Sequence, residues 1–99
     1  MKLIPGQRFA ICLDLAHAHL SKTPVVQWQR TCEPFVAHYH INDNRGKVDE
    51  HLPLGEGSAP WGEILSKVKE DATLLLEVNS LESYHKCAAY LDRVWNKPT

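Results

Sequence analysis

The feature that most constrains this chain is an alternation. An apolar run of strand length is followed by a helical pattern, and the unit occurs three times in 99 residues. Strands that alternate with helices pair in parallel, because each helix serves as the crossover between them. The first strand is expected over Phe9 to Leu15, closed by the polar run Asp14 to His17. A helix should follow with Thr23 as N-cap and Pro24 at its first position, a buried stripe of Val25, Trp28 and Cys32, and Pro34 fixing its end. The second strand is Val36 to Ile41, followed by a polar loop from Asn42 to Gly57. A helix from Pro60 to Glu70 carries Trp61, Ile64, Leu65 and Val68 at i, i+3, i+4 and i+7. The third strand, Ala72 to Val78, is an almost unbroken apolar run, as in strands covered on both faces. Ser80 then caps a last helix with the stripe Leu81, Tyr84, Ala88, Leu91 and Trp95.

Each unit takes about 30 residues, and a complete eight-unit barrel takes roughly 250. The chain therefore reads as an α/β protein, a partial (β/α) TIM-type barrel of three parallel strand–helix units, with residues 1–99 as a single domain. Met1 stands eight residues before the first expected strand, so no earlier unit is expected. Three strands cannot close a barrel. One sheet face is left uncovered, which predicts a homo-oligomer or a complementing chain over it.

Composition narrows the function. The formal net charge of -1 gives no field to recruit nucleic acid or an anionic membrane. No apolar stretch is long enough to span a bilayer, and the start, Met1 to Gly6, lacks the apolar core of a signal peptide. The three cysteines, Cys12, Cys32 and Cys87, form no close pair, so a reduced, cytoplasmic protein is expected.

Side chains alternate along a strand. Cys12 and Asp14 share one face of the first strand, His38, His40 and Asn42 one face of the second, and Thr73, Leu75 and Glu77 one face of the third. The opposite faces are aliphatic and suit helix packing. Asp14, His40 and Glu77 thus stand near the C-terminal ends of three strands spaced about 4.8 Å apart. Two carboxylates and an imidazole suit one divalent ion such as Mn, Zn, Mg or Fe. Taken singly, a terminal Asp is an ordinary helix cap, and a lone His or Glu is usually satisfied by hydrogen bonds; three in register weigh against that. Gly55 and Gly57 are expected to make a tight turn, with Glu56 as a loop acceptor.

Four segments in this order, Cys12 to His17, His40 to Asn44, Asp49 to Gly57 and Leu76 to Asn79, resemble the last three units of the xylose-isomerase-like barrels. That superfamily includes sugar isomerases and epimerases, inosose dehydratases and endonuclease IV. The resemblance runs from about Ala10 to Trp95 and implies that Asp14, His40 and Glu77 are metal ligands, with Glu77 also catalytic. The superfamily's fourth ligand, a Glu on an earlier strand, has no counterpart here. His17 matches a position that binds substrate in the epimerases and a further zinc in endonuclease IV. Asp49 and His51 match that enzyme's third-zinc pair, with a solvated loop as their plainer reading. Arg45, five residues after His40, is a candidate for a substrate hydroxyl or phosphate, or simply a solvated arginine.

The resemblance implies a metal-dependent isomerase or epimerase with a small sugar or polyol substrate. Two alternatives stand beside it. One is an abasic-site phosphodiesterase resembling endonuclease IV, against which the near-neutral charge counts. The other is a non-enzymatic metal- or ligand-binding fragment that self-associates.

Overall fold

The structure is a computed structural model and describes residues 9–95. The segment Met1 to Gly6 and the count of residues before the first strand lie outside that range. Three strands, β1 (Ile11–Asp14), β2 (Val36–Ile41) and β3 (Thr73–Leu76), form one parallel sheet in the order β1-β2-β3. Helices α1 (Leu15–Leu20) and α2 (Val25–Cys32) connect β1 to β2, α3 (Trp61–Ser66) lies between β2 and β3, and α4 (Leu81–Val94) follows β3. This is the expected α/β alternation, with an open sheet.

The helices pack on one face of the sheet. Leu13, Val36, Tyr39 and Ile41 are buried there against Leu15, Ala18, Val25, Trp61, Ile64, Leu65 and Cys87. The other face carries Cys12, His38, Thr73 and Leu75, and Leu75 is 46% exposed. Among the described residues the third strand is therefore covered on its helix side alone, with alternating exposure, where its apolar run suggested cover on both faces.

Several boundaries differ from expectation for local reasons. Strand β1 ends at Asp14, whose carboxylate accepts from the His17 backbone N–H at 2.9 Å and so opens α1 directly from the strand. Pro24, not Thr23, occupies the N-cap of α2. Its carbonyl accepts from Gln27 and Trp28. The buried line of α2 is Val25 and Gln29, while Trp28 is 38% exposed with its indole N–H on Ser21 Oγ at 2.9 Å. Helix α3 stops at Ser66, four residues early. Beyond it Lys69 is drawn to β2, its backbone N–H donating to the Tyr39 hydroxyl at 3.1 Å and its Nζ to the Val36 carbonyl at 3.0 Å. In α4 Ser80 caps as expected, accepting from Ser83 N–H at 3.0 Å. The buried residue is Cys87, whereas Leu81 and Tyr84 are exposed.

The long β2–α3 connection is organised by two buried residues, Asp43 and Asn44. The Asp43 carboxylate accepts from four backbone N–H groups: Asn44 at 2.9 Å, Gly55 at 2.9 Å, Gly57 at 3.0 Å and Ala59 at 3.3 Å. Its backbone pairs with Leu52 in both directions at 2.8 Å. Asn44 donates its amide to the Ala16 carbonyl at 3.0 Å and accepts from Gly46 N–H at 2.8 Å, joining the loop to α1. Gly57 is required by contact: a Cβ there would run into the Asn44 carbonyl and Asp43 Oδ1. Gly55 is required by conformation, with φ of +93°. Glu56, expected as an acceptor within the loop, pairs instead with Lys86 of α4 at 3.4 Å.

Asp43→Ala leaves those N–H groups buried without an acceptor, at about 1–3 kcal/mol for an orphaned group. Chemical denaturation is expected to show a loss of at least about 3 kcal/mol. A loss under about 1 kcal/mol would mean that the loop holds itself without this carboxylate.

Candidate metal centre

The register of the sheet determines which side chains meet. Between Ile11 and Cys12 the β1–β2 pairing slips by one residue, so that Ile11 pairs with Val36 but Cys12 with His38. Without the slip Cys12 would stand opposite Ala37. With it, Cys12, His38 and Thr73 form one row across the sheet, and Asp14, His40 and Leu75 form the next. Glu77 lies one further side-chain repeat along β3, its backbone N–H still donating to the Ile41 carbonyl at 3.0 Å. It is thus one step above the other two rather than level with them. Its longer side chain reaches back, with Oε1 3.2 Å from His40 Nδ1.

The result is a convergent set. One donor atom from each of Asp14, His40 and Glu77 lies within 4.8 Å of the others. The three are partly buried, with side-chain exposures of 21, 28 and 30%. The set sits at the C-terminal ends of the strands, on the face away from the helices. Asp14 serves as helix cap and as a member of this set together. A carboxylate has about four lone-pair sites, and capping takes one of them.

A chain of polar contacts runs outward from it. His17 Nδ1 is 3.3 Å from Asp14 Oδ2, and His17 Nε2 is 3.0 Å from Asp49 Oδ2. Asp49 Oδ1 is 3.2 Å from His51 Nε2, and His51 Nδ1 donates to the Glu77 carbonyl at 3.2 Å. His51 has φ of +56°, the one positive φ outside glycine among the described residues. The left-handed backbone is a strained choice for a histidine and aims its ring between Asp49 and Glu77. The structure thus brings His17, Asp49 and His51 to the rim of the Asp14–His40–Glu77 set. It does not bring Arg45 there: the Arg45 guanidinium pairs with Glu50 at 2.9 Å, and its backbone N–H bonds the same carboxylate at 2.9 Å.

Charge follows from these contacts. The hydrogen bond from Asp49 raises the His17 pKa above the ordinary histidine range, and the nearby charges of Asp14, Asp49 and Glu77 add to it, against some desolvation. The same bond holds the Asp49 carboxyl below its ordinary value. An open cleft of about 230 Å³ adjoins Asp14 and His17, walled by Leu13, Ala18 and Trp28.

Asp43 and Asn44 lie within the segment His40 to Asn44 but carry no sequence signal of their role, because burial of a polar loop pair leaves no periodic trace. Cys12 and His38 were visible on the site's face by strand alternation alone. A second convergent set, Cys12, His38 and His40, was not foreseen.

A parallel sheet with helices on one face and ligand-type side chains at its C-terminal strand ends has the layout of part of a β/α barrel, the class whose sites lie at that end. The chain belongs to the xylose isomerase-like TIM barrel family, whose model matches residues 1–93. A solved structure described as a D-tagatose 3-epimerase-like protein superposes with a TM-score of 0.78 at 27% identity, over 87% of this chain and 34% of that one. Two proteins of Methanocaldococcus jannaschii, both named as uncharacterized, are also similar. MJ1311 is 35% identical over 72 residues, 71% of this chain and 25% of that protein. MJ1614 is 29% identical over 87 residues, 85% of this chain and 34% of that protein. The chain thus spans a quarter to a third of the relatives it matches.

The His17–Asp49 pairing makes a pH prediction. A raised histidine pKa contributes stability that is present below the unfolded histidine pKa and lost as pH rises through the folded one. The lowered Asp49 pKa contributes above its unfolded value and is lost on acidification, so the pairing acts in the window between. In an NMR titration the His17 imidazole should titrate above the ordinary histidine range, and Asp49→Asn should bring it down. An unmoved midpoint in the variant would contradict the pairing.

Proposed function

We propose that this chain carries the C-terminal part of the active site of a divalent-metal-dependent sugar or polyol isomerase or epimerase. The observation that supports it most is the convergence of Asp14, His40 and Glu77 within 4.8 Å at the C-terminal strand ends. Membership of a sugar-isomerase-type barrel family and likeness to an epimerase-like structure point the same way.

The donor set fits Mn²⁺, Zn²⁺, Mg²⁺ or Fe²⁺: hard carboxylates with one imidazole, at a spacing that small side-chain movements would close. A bound ion would supply Lewis-acid polarisation of adjacent substrate oxygens. The residues of the chain do the rest. Glu77 has one oxygen engaged near His40 Nδ1, and we assign its other oxygen to taking or returning a proton at a substrate carbon. We assign His17 to a substrate hydroxyl, which it would take by exchanging its contact with Asp14 or Asp49 for the substrate. Asp49 and His51 position His17 and the Glu77 backbone, and are a second pair able to take a cation. Arg45 would reach substrate by leaving Glu50.

A second carboxylate for the opposite face of the substrate would come from outside these three strands, as would a cover for the open sheet face where Cys12, Thr73 and Leu75 are exposed. We propose a second copy or a complementing segment for both, with residues 1–99 acting as one domain. Among the described residues no helix is long and apolar enough to cross a membrane. The three free cysteines fit a reducing, cytoplasmic setting. Hydrolysis at abasic DNA ranks below this reading, since a net charge of -1 offers no phosphate field.

The test is solvent exchange. Protein with Mn²⁺ in deuterated water, offered a panel of ketoses and their epimers, should place deuterium on the carbon beside the carbonyl. Glu77→Gln should slow this by about 100-fold or more. Exchange that is indifferent to metal or to Glu77→Gln, or no exchange from any sugar of the panel, would contradict the assignment for this chain.

A further inference from the structure

The row of side chains beneath the Asp14–His40–Glu77 set has a chemistry of its own. Cys12, His38 and Thr73 are register partners across the three strands. One donor atom from each of Cys12, His38 and His40 lies within 4.8 Å of the others. The His38 and His40 rings meet edge to face with centroids 5.0 Å apart. His38 is oriented by a bond between its Nδ1 and the Thr73 hydroxyl, so that metal ligation would fall to Nε2. An outer hydrogen bond of this kind fixes the tautomer of metal-ligating histidines. Cys12 is exposed on the open face, away from the core, and is a free thiol. The sheet irregularity at Ile11/Cys12 is what brings Cys12 opposite His38.

We propose that Cys12, His38 and His40 form a second, soft-metal site for a thiophilic divalent ion such as Zn²⁺, as an alternative to the oxygen-rich site above it. One thiolate and two imidazoles are a donor set for zinc or cobalt, with a fourth position left to water. The thiol proton leaves to solvent as the sulfur–metal bond forms, and no oxidant or reductant is involved. His40 belongs to both sets, so an ion taken by Cys12 and His38 draws His40 from Asp14 and Glu77. Ion hardness then decides which site fills: oxygen-seeking Mn²⁺ or Mg²⁺ the upper, zinc-like ions the lower. The inference is independent of the sugar reading, because it concerns binding by side chains that reading does not use as ligands, apart from His40.

Cobalt(II) is the probe, since only a thiolate ligand gives a near-ultraviolet sulfur-to-cobalt charge-transfer band. The chain is titrated without oxygen as wild type and as Asp14→Asn/Glu77→Gln, in which the upper set is disabled. The double variant should develop the band with one cobalt per chain. Adding Cys12→Ser should abolish it, and adding His38→Ala or Thr73→Val should weaken cobalt binding by about tenfold or more. Wild type should show a weaker band per bound cobalt, because the upper set competes for His40. A double variant without the band, or a band that survives Cys12→Ser, would overturn the site. Equal intensity in wild type and double variant would overturn the competition. Failure of solvent exchange in the sugar assay leaves each of these outcomes unchanged, so the two readings fail separately.

Discussion

The Asp43 carboxylate is the contact on which the rest of the structure leans. It is buried in the connection after β2 and neutralises four backbone N–H groups that the loop cannot pair with itself. Backbone donors out of reach of water must find an acceptor, and one anionic side chain does this for a whole turn. Through Leu52 and the glycines it fixes where the loop runs, and through Asn44 it ties the loop to α1. Asp49 and His51 are held over the strand ends as a consequence. That anchor acts together with the contacts of Asp49 with His17 and of His51 with the Glu77 carbonyl to define the rim of the site.

The sheet supplies the other half of the geometry. A single slip in the β1–β2 register lines up Cys12 with His38 and Asp14 with His40. Hard and soft donor sets then follow as successive rows of one parallel sheet, sharing an imidazole. Glu77 joins from one step higher because its side chain is long enough to reach back. A shorter aspartate at that position would fall short, so the choice of glutamate is geometric as well as chemical.

Much of this was legible in the residues. Period-two alternation placed Asp14, His40 and Glu77 on one face and the aliphatic residues on the other, and the strand order and parallel sense followed from the alternation of elements. What was not legible depends on contacts between distant segments. Helix α3 is cut short because Tyr39 and Val36 capture Lys69, and no local propensity at Lys67 to Glu70 announces that. Cys87 is buried in α4 while Leu81 is exposed, because which stripe of a helix packs depends on how the helix sits on the sheet. Pro24 was expected at the first helical position and stands instead at the cap, since its fixed φ is compatible with both places and only its extended ψ distinguishes them. The role of Arg45 is a pairing with Glu50 that spacing alone does not reveal.

A shared centre requires that Asp14, His40 and Glu77 act together on one divalent ion. Isothermal titration of Mn²⁺ into wild type, Asp14→Asn, Glu77→Gln and the double variant measures this directly. One ion per chain is expected in wild type, with a loss of about 100-fold or more in affinity for each single variant and a double variant little worse than either, since ligands of one ion are strongly coupled. Wild-type affinity retained in both single variants, or independent losses that simply add, would contradict a shared centre.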